Sequence, residues 1–188
     1  MAIAANIVLT ILELTGLYLS ARRRGWKLFQ FYTQLSNIVA LLSAVCFLIL
    51  GEKAAWLRFT GTCVLLMTFF VTLCILIPMG VSFKEMMLTG SGVFHHTLCP
   101  ILSTASYLLW EAHASVWCVP VLLTFVYGML MLYLNGKGRI DGPYPFFRVK
   151  QQSTLATVLW MAALTGLIAL IALAVKGITA GLDRAAVL

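Results

Sequence analysis

Six apolar stretches, at 3–20, 29–50, 57–79, 92–110, 115–134 and 153–175, occupy most of this sequence and are separated by short polar gaps. A helix rises ~1.5 Å per residue, so about 20 residues cross the ~30 Å hydrocarbon core of a bilayer. Stretches of that length predict an all-α polytopic integral membrane protein, a bundle of about six transmembrane helices forming a single domain over 1–188. Composition agrees: 62% of the residues are apolar, 10% are charged and the mean hydropathy is +1.00. Soluble domains are about a quarter charged. With so few charges the chain cannot coat a soluble globule, and lipid has to solvate most of its side chains.

The gaps carry the topology. The first stretch does not read as a cleavable signal, because its basic cluster follows the apolar core. The first, third and fifth gaps hold nine of the thirteen Lys and Arg residues. The positive-inside rule places these three gaps in the cytoplasm and both termini on the far side. The short loops point to a bacterial inner membrane, with the endoplasmic reticulum as the alternative. A net charge of +7 raises the question of nucleic acid. The basic residues sit beside apolar runs, however, where they meet lipid headgroups, so membrane lipids are the expected partners and nucleic acid is not. The five cysteines all lie inside apolar runs with no CxxC spacing, and read as packing residues. No cofactor is expected.

Polar residues inside lipid are functional candidates, because each is costly unless satisfied. Thr33 and Asn37 share a helix face at the start of the second stretch, with Gln34 beside them. Their simplest role is to bond back to their own helix or to a neighbouring one. His95 and His96 open the fourth stretch. Adjacent helical residues point about 100° apart, so one of the two is expected to face the interior. Glu13 lies two turns from the first gap and needs a partner or a proton. Tyr144, Pro145, Phe146 and Phe147 suit the headgroup interface. Depth links these groups: Thr33 and His95 both sit ~5 to 6 Å below the surface that carries the odd-numbered gaps. A metal or haem site fits less well. His113 is about 25 Å from His95 along the fourth stretch, and carboxylates are scarce.

Together, Trp26-Lys27-Leu28-Phe29, the Phe31-Tyr32-Thr33 triplet, the His96-Thr97-x-x-Pro100 patch and Tyr144-Pro145-Phe146 resemble the androgen-induced-gene / androgen-dependent TFPI-regulating family of multi-pass proteins. The likeness runs loosely from Trp26 to Phe147. It implies an intramembrane threonine hydrolase of fatty acid esters of hydroxy fatty acids, with a lipid substrate. Thr33 takes the nucleophile's position. Counting back five residues from Pro100 makes His95 the base, while His96, directly before Thr97, has a comparable claim. The mechanism would need oxyanion donors and an orienting group, for which Asn37, Gln34 and Glu13 are candidates, with Tyr144 and Phe146 binding substrate. The alternative is a non-enzymatic protein for lipid binding, transport or complex assembly.

Overall fold

The computed structural model describes residues 1–114 and 116–185. It is all-α, with no strand among the described residues. The helices are α1 (Ala2–Arg24), α2 (Tyr32–Leu50), α3 (Ala55–Val71), the short α4 (Gly90–Val93), α5 (Cys99–Trp110), α6 (Cys118–Gly136) and α7 (Thr154–Ala185). Two π-helical turns extend them: Thr72–Leu76 prolongs α3, and Phe94–Leu98 joins α4 to α5.

Among the described residues, four helical segments are long and apolar enough to cross a membrane: Ala2–Gln30, Tyr32–Leu76, Cys118–Gly136 and Thr154–Ala185. The second is folded back on itself. Gly51 takes φ 59°, a left-handed value that ends α2 as its N–H bonds the Phe47 carbonyl. The chain then returns as α3, antiparallel to α2, pairing Ser36 with Thr68 (2.7 Å) and Ser43 with Arg58 (3.1 Å). The run from Gly90 to Trp110 is not among the four; it is built of α4, a π turn and α5, and carries both histidines.

Several expected boundaries move. The third stretch stops at Leu76 rather than 79, where Pro78 has no N–H with which to continue the helical bonds. The fifth was expected to start at Ser115, which lies outside the described residues; the helix begins at Cys118. The sixth runs on past 175 to Ala185, since Lys176 is exposed and its long stem lets the charge leave an apolar face without breaking the helix. The first reaches Arg24, with Arg22 and Arg23 beside it in a last turn whose dipole favours cations.

The burial pattern is inverted relative to a soluble protein. Ile3, Ile7, Ile11 and Leu14 of α1 and Leu155, Val158 and Leu170 of α7 face outward, while Asn6, Glu13, Arg58 and Asn37 are fully enclosed. Such a broad apolar exterior is consistent with a membrane protein. At the centre stands α3, buried without interruption from Arg58 to Leu65 and packed against α2, α5, α6 and α7. Helices in lipid gain nothing from hydrophobic exclusion of one another, so close approach and polar bonds must hold them. Gly61 provides the approach: a Cβ there would stand 2.5 Å from Ser43 Oγ.

The polar bonds centre on an ion pair. Arg58 Nε donates to Glu111 Oε2 at 2.8 Å and Nη2 to Oε1 at 3.1 Å, with both side chains at 0% exposure. Ser43 and Ser103 accept two of the three remaining guanidinium hydrogens, and Asn6 and Ser106 donate to the carboxylate. One network therefore ties α1, α2, α3 and α5 together at the end of the bundle opposite Thr33. Removing one partner leaves an uncompensated buried charge, which costs about 3–5 kcal/mol. Arg58→Ala and Glu111→Ala are each expected to lower the thermal unfolding midpoint of the detergent-solubilised protein sharply. The double change Arg58→Met/Glu111→Leu should lose clearly less than either single one.

Candidate functional site

Each of three helices presents one stripe of small and polar residues to the others. On α1 the buried positions Asn6, Leu9, Glu13, Gly16 and Ser20 are spaced alternately by three and four. On α2 they are Thr33, Asn37, Ala40, Ala44 and Phe47, with Gln34, Ser36 and Ser43 alongside. On the third run they are His95, Cys99, Ser103 and Ser106. This spacing keeps one face of a helix turned inward. Leu9, Ala40 and Cys99 share one packed cluster. Nearer the odd-numbered gaps, the same stripes set Gly16 and Ser20 against His95.

Beside that contact a cavity of about 520 Å³ opens, its walls including Thr33, Gln34, His95, His96 and Tyr144. Arg23, Arg24 and Arg148 line it too, against the single acid Glu85, so the wall carries a positive field. Arg24 lies over the Phe31 ring at 4.1 Å. Thr33, both histidines and the Tyr144 segment therefore meet at one end of the bundle.

Thr33 is in the first turn of α2, where backbone N–H groups have no helical acceptor. Its own N–H donates to Tyr144 Oη at 3.3 Å, and its Oγ1 lies 3.2 Å from the same hydroxyl. Burial pushes the Tyr144 phenol above its ordinary range, partly offset by the Thr33 hydroxyl, so it remains a protonated donor. Phe146 stacks on Tyr144 with ring centroids 5.1 Å apart, which fixes the ring. A narrow apolar cleft of about 30 Å³ leaves this point toward α6 and α7, bounded by Thr33, Tyr144, Phe146, Phe147 and Met161.

The histidines depart from the expectation that one would face inward. Both are buried, at 1% and 4% exposure, because their π turn is wedged between α1 and α3. His95 turns to α1, where Ser20 Oγ meets its Nε2 at 2.9 Å; Nδ1 is buried without a partner. His96 turns to α3, where Thr72 Oγ1 meets its Nδ1 at 2.8 Å. Thr72 opens the π turn that prolongs α3, and such turns recur at functional sites. Neither histidine bonds Thr33.

Two further candidates are placed as follows. Asn37 gives one amide hydrogen to the Thr33 carbonyl at 2.6 Å, where Ser36 also donates. Glu13 does not orient a histidine: Ser20 and Thr72 hold those rings, and both Glu13 oxygens are buried without a hydrogen bond, beside Cys99. Gln34 lines the cavity with its Oε1 unpartnered. Among the described residues, no group of three or more His, Cys, Asp or Glu is arranged to hold a metal ion.

Comparison with known protein families, with curated proteins and with solved structures finds no match for the chain.

The close seat of His95 rests on Gly16, where an added Cβ would come within 2.8 Å of the imidazole Cε1 and of Phe94 Cβ. Overpacking of this kind costs about 1–3 kcal/mol. Gly16→Ala is expected to lower the unfolding midpoint accordingly. Gly177→Ala is the control, because a Cβ there meets nothing within 4 Å, and its midpoint should not fall.

Proposed function

We propose that the chain is an intramembrane lipid-ester hydrolase of the fatty-acid-ester-of-hydroxy-fatty-acid type, crossing the bilayer six times. The crossings are α1, α2, α3 with its π turn, the run Gly90–Trp110, α6 and α7. Thr33 is the nucleophile, and the His95–His96 pair supplies the base. By the excess of Lys and Arg, the cavity faces the cytoplasm, in a bacterial inner membrane. The observation that carries the reading is the shared cavity: Thr33, His95, His96 and Tyr144 line one space, on separate elements of the chain. The likeness of the Phe31-Tyr32-Thr33 and His96-Thr97-x-x-Pro100 segments to the intramembrane threonine hydrolases supports it.

The chemistry follows from the neighbours of each group. Proton transfer requires Thr33 Oγ1 to leave Tyr144 as the ester carbonyl takes the Tyr144 hydroxyl as a donor. Oγ1 then attacks the carbonyl carbon while a histidine accepts its proton. The developing oxyanion is held by the Tyr144 hydroxyl and by the Thr33 N–H, which turns to it from Tyr144 Oη. Collapse breaks the ester C–O bond, and the histidinium proton goes to the departing alkoxide. Water then cleaves the acyl-threonine by the same steps. Each histidine keeps one ring nitrogen free of hydrogen bonds while Ser20 or Thr72 holds the other. The arginines of the cavity wall suit an amphiphile with an anionic head.

One observation favours a second reading, a non-enzymatic protein for lipid binding or transport: neither histidine bonds Thr33. A fluorophosphonate probe separates the two. The hydrolase reading expects covalent labelling that disappears in Thr33→Ala and in one of His95→Ala and His96→Ala, with ester turnover lowered about 10²–10⁴-fold in the same variants. Labelling that persists in folded Thr33→Ala, or its absence from the wild type, overturns that reading.

A further inference from the structure

Three spaces in the bundle share walls in sequence. The polar cavity and the narrow cleft have Thr33, Leu76 and Tyr144 in common. The cleft in turn shares Met161 and Thr165 with a groove of about 560 Å³ on the outer face between α6 and α7. That groove is lined almost wholly by apolar groups, among them Phe125, Met129, Val158 and Ala162. The three spaces therefore adjoin one another in a row, from the cavity, past the Thr33 hydroxyl and through a narrow neck, to the outer face between two helices. From these shared walls we propose that the α6–α7 groove and its neck form a lateral binding channel for one long acyl chain, with the carbonyl end at Thr33 and the tail lying along α7. The assignment of the carbonyl end rests on the hydrolase reading; the channel itself does not.

Three features fit an acyl chain better than another helix or a polar ligand. The neck holds only about 30 Å³ of free space, which admits an unbranched chain more readily than a ring. Three of its hydroxyls are occupied elsewhere: Thr124 bonds Tyr32 and the Pro120 carbonyl, Thr68 bonds Ser36, and Thr72 bonds His96. The wall it presents is thus effectively apolar. The groove follows α7 from Thr157 to Ala169, which at 1.5 Å per residue is ~18 Å. That length is close to the half-thickness, ~15 Å, of the hydrocarbon core, which is the depth one leaflet's acyl chains fill. Met161 stands at the junction of neck and groove, seated against Gly128, where an added Cβ would lie 2.7 Å from its Cε. An unbranched, flexible side chain at that point can swing aside for a chain to pass. A chain in lipid gains no hydrophobic energy by moving into an apolar groove, so the channel selects chain length and direction rather than supplying affinity.

The test separates the channel from the chemistry. Thr33→Ala protein in lipid nanodiscs is irradiated with palmitate carrying a diazirine near its methyl end, and the labelled peptides are mapped. The channel predicts labels concentrated on 157–169 of α7 and on the facing residues of α6. They should fall about tenfold when Ala162, on the exposed groove wall, is changed to Trp. Labels spread evenly over outward-facing helices, including Ile7 and Ile11 of α1, or unchanged in Ala162→Trp, overturn the proposal. In parallel, the wild-type preference for palmitoyl over butyryl esters should fall about tenfold in Ala162→Trp; an unchanged preference overturns the channel while leaving the hydrolase standing. Localised labelling in a wild type that turns over no ester overturns the hydrolase and supports the channel.

Discussion

The Arg58–Glu111 pair shows what governs this fold. Hydrocarbon offers a guanidinium or a carboxylate no hydrogen-bond partner, so every polar group that enters the bundle must find one inside the protein. Arg58 is fully enclosed, yet its fork spans Glu111, Ser43 and Ser103, and the carboxylate takes Asn6 and Ser106 as well. Satisfying one charge has therefore fixed the relative positions of α1, α2, α3 and α5. With that end clasped, the other end can hold polar groups that are less well satisfied. Glu13, Gln34, Asn37 and His95 keep unpartnered polar atoms toward that end, against Asn6 Oδ1 at the clasped one, and Gln34 and His95 line the cavity. Such orphan atoms are rare in native interiors and mark sites of water or ligand contact.

Much of the inward geometry is legible in the amino-acid sequence once lipid is taken as the solvent. In an apolar helix the small and polar residues, not the large apolar ones, mark the buried face. Asn6, Glu13, Gly16 and Ser20 repeat at steps of seven, three and four, and all are buried. Thr33 and Asn37 continue through Ala40 and Ala44 in the same way. Reading whole stripes in place of single residues would have brought in Ser20, which was passed over although it ends the α1 stripe beside the basic cluster. The meeting of Thr33 with the His95–His96 pair and Tyr144 was legible for a different reason, the even number of helices between each pair.

What the sequence hides are pairings made across long separations. Nothing local marks Arg58 as the partner of a Glu111 that lies in an apparent loop, 53 residues away. The inward turn of both histidines depends on π turns, whose extra residue shifts the register and has no signal in the residue pattern. Thr72 reads as one more threonine in an apolar run, until its π turn faces that of His96 across the α3–α5 contact. Glu13 was misread for the opposite reason. A carboxylate near a histidine suggests a triad, but Ser20, two turns further along α1, bonds the imidazole and fills that place.

The functional account turns on parity: Thr33, His95 and Tyr144 act together only if the segments before α2, α4 and α7 share one side of the membrane. Single cysteines at Trp26, Ser82 and Gln151, all exposed positions in those segments, in a background with the natural cysteines replaced, report this directly. Labelled with an impermeant maleimide in vesicles of known orientation, all three are predicted to react from the same side, and a cysteine at Glu52 from the opposite one. Reaction of any of the three from the side of Glu52 would split the site across the bilayer and contradict the account.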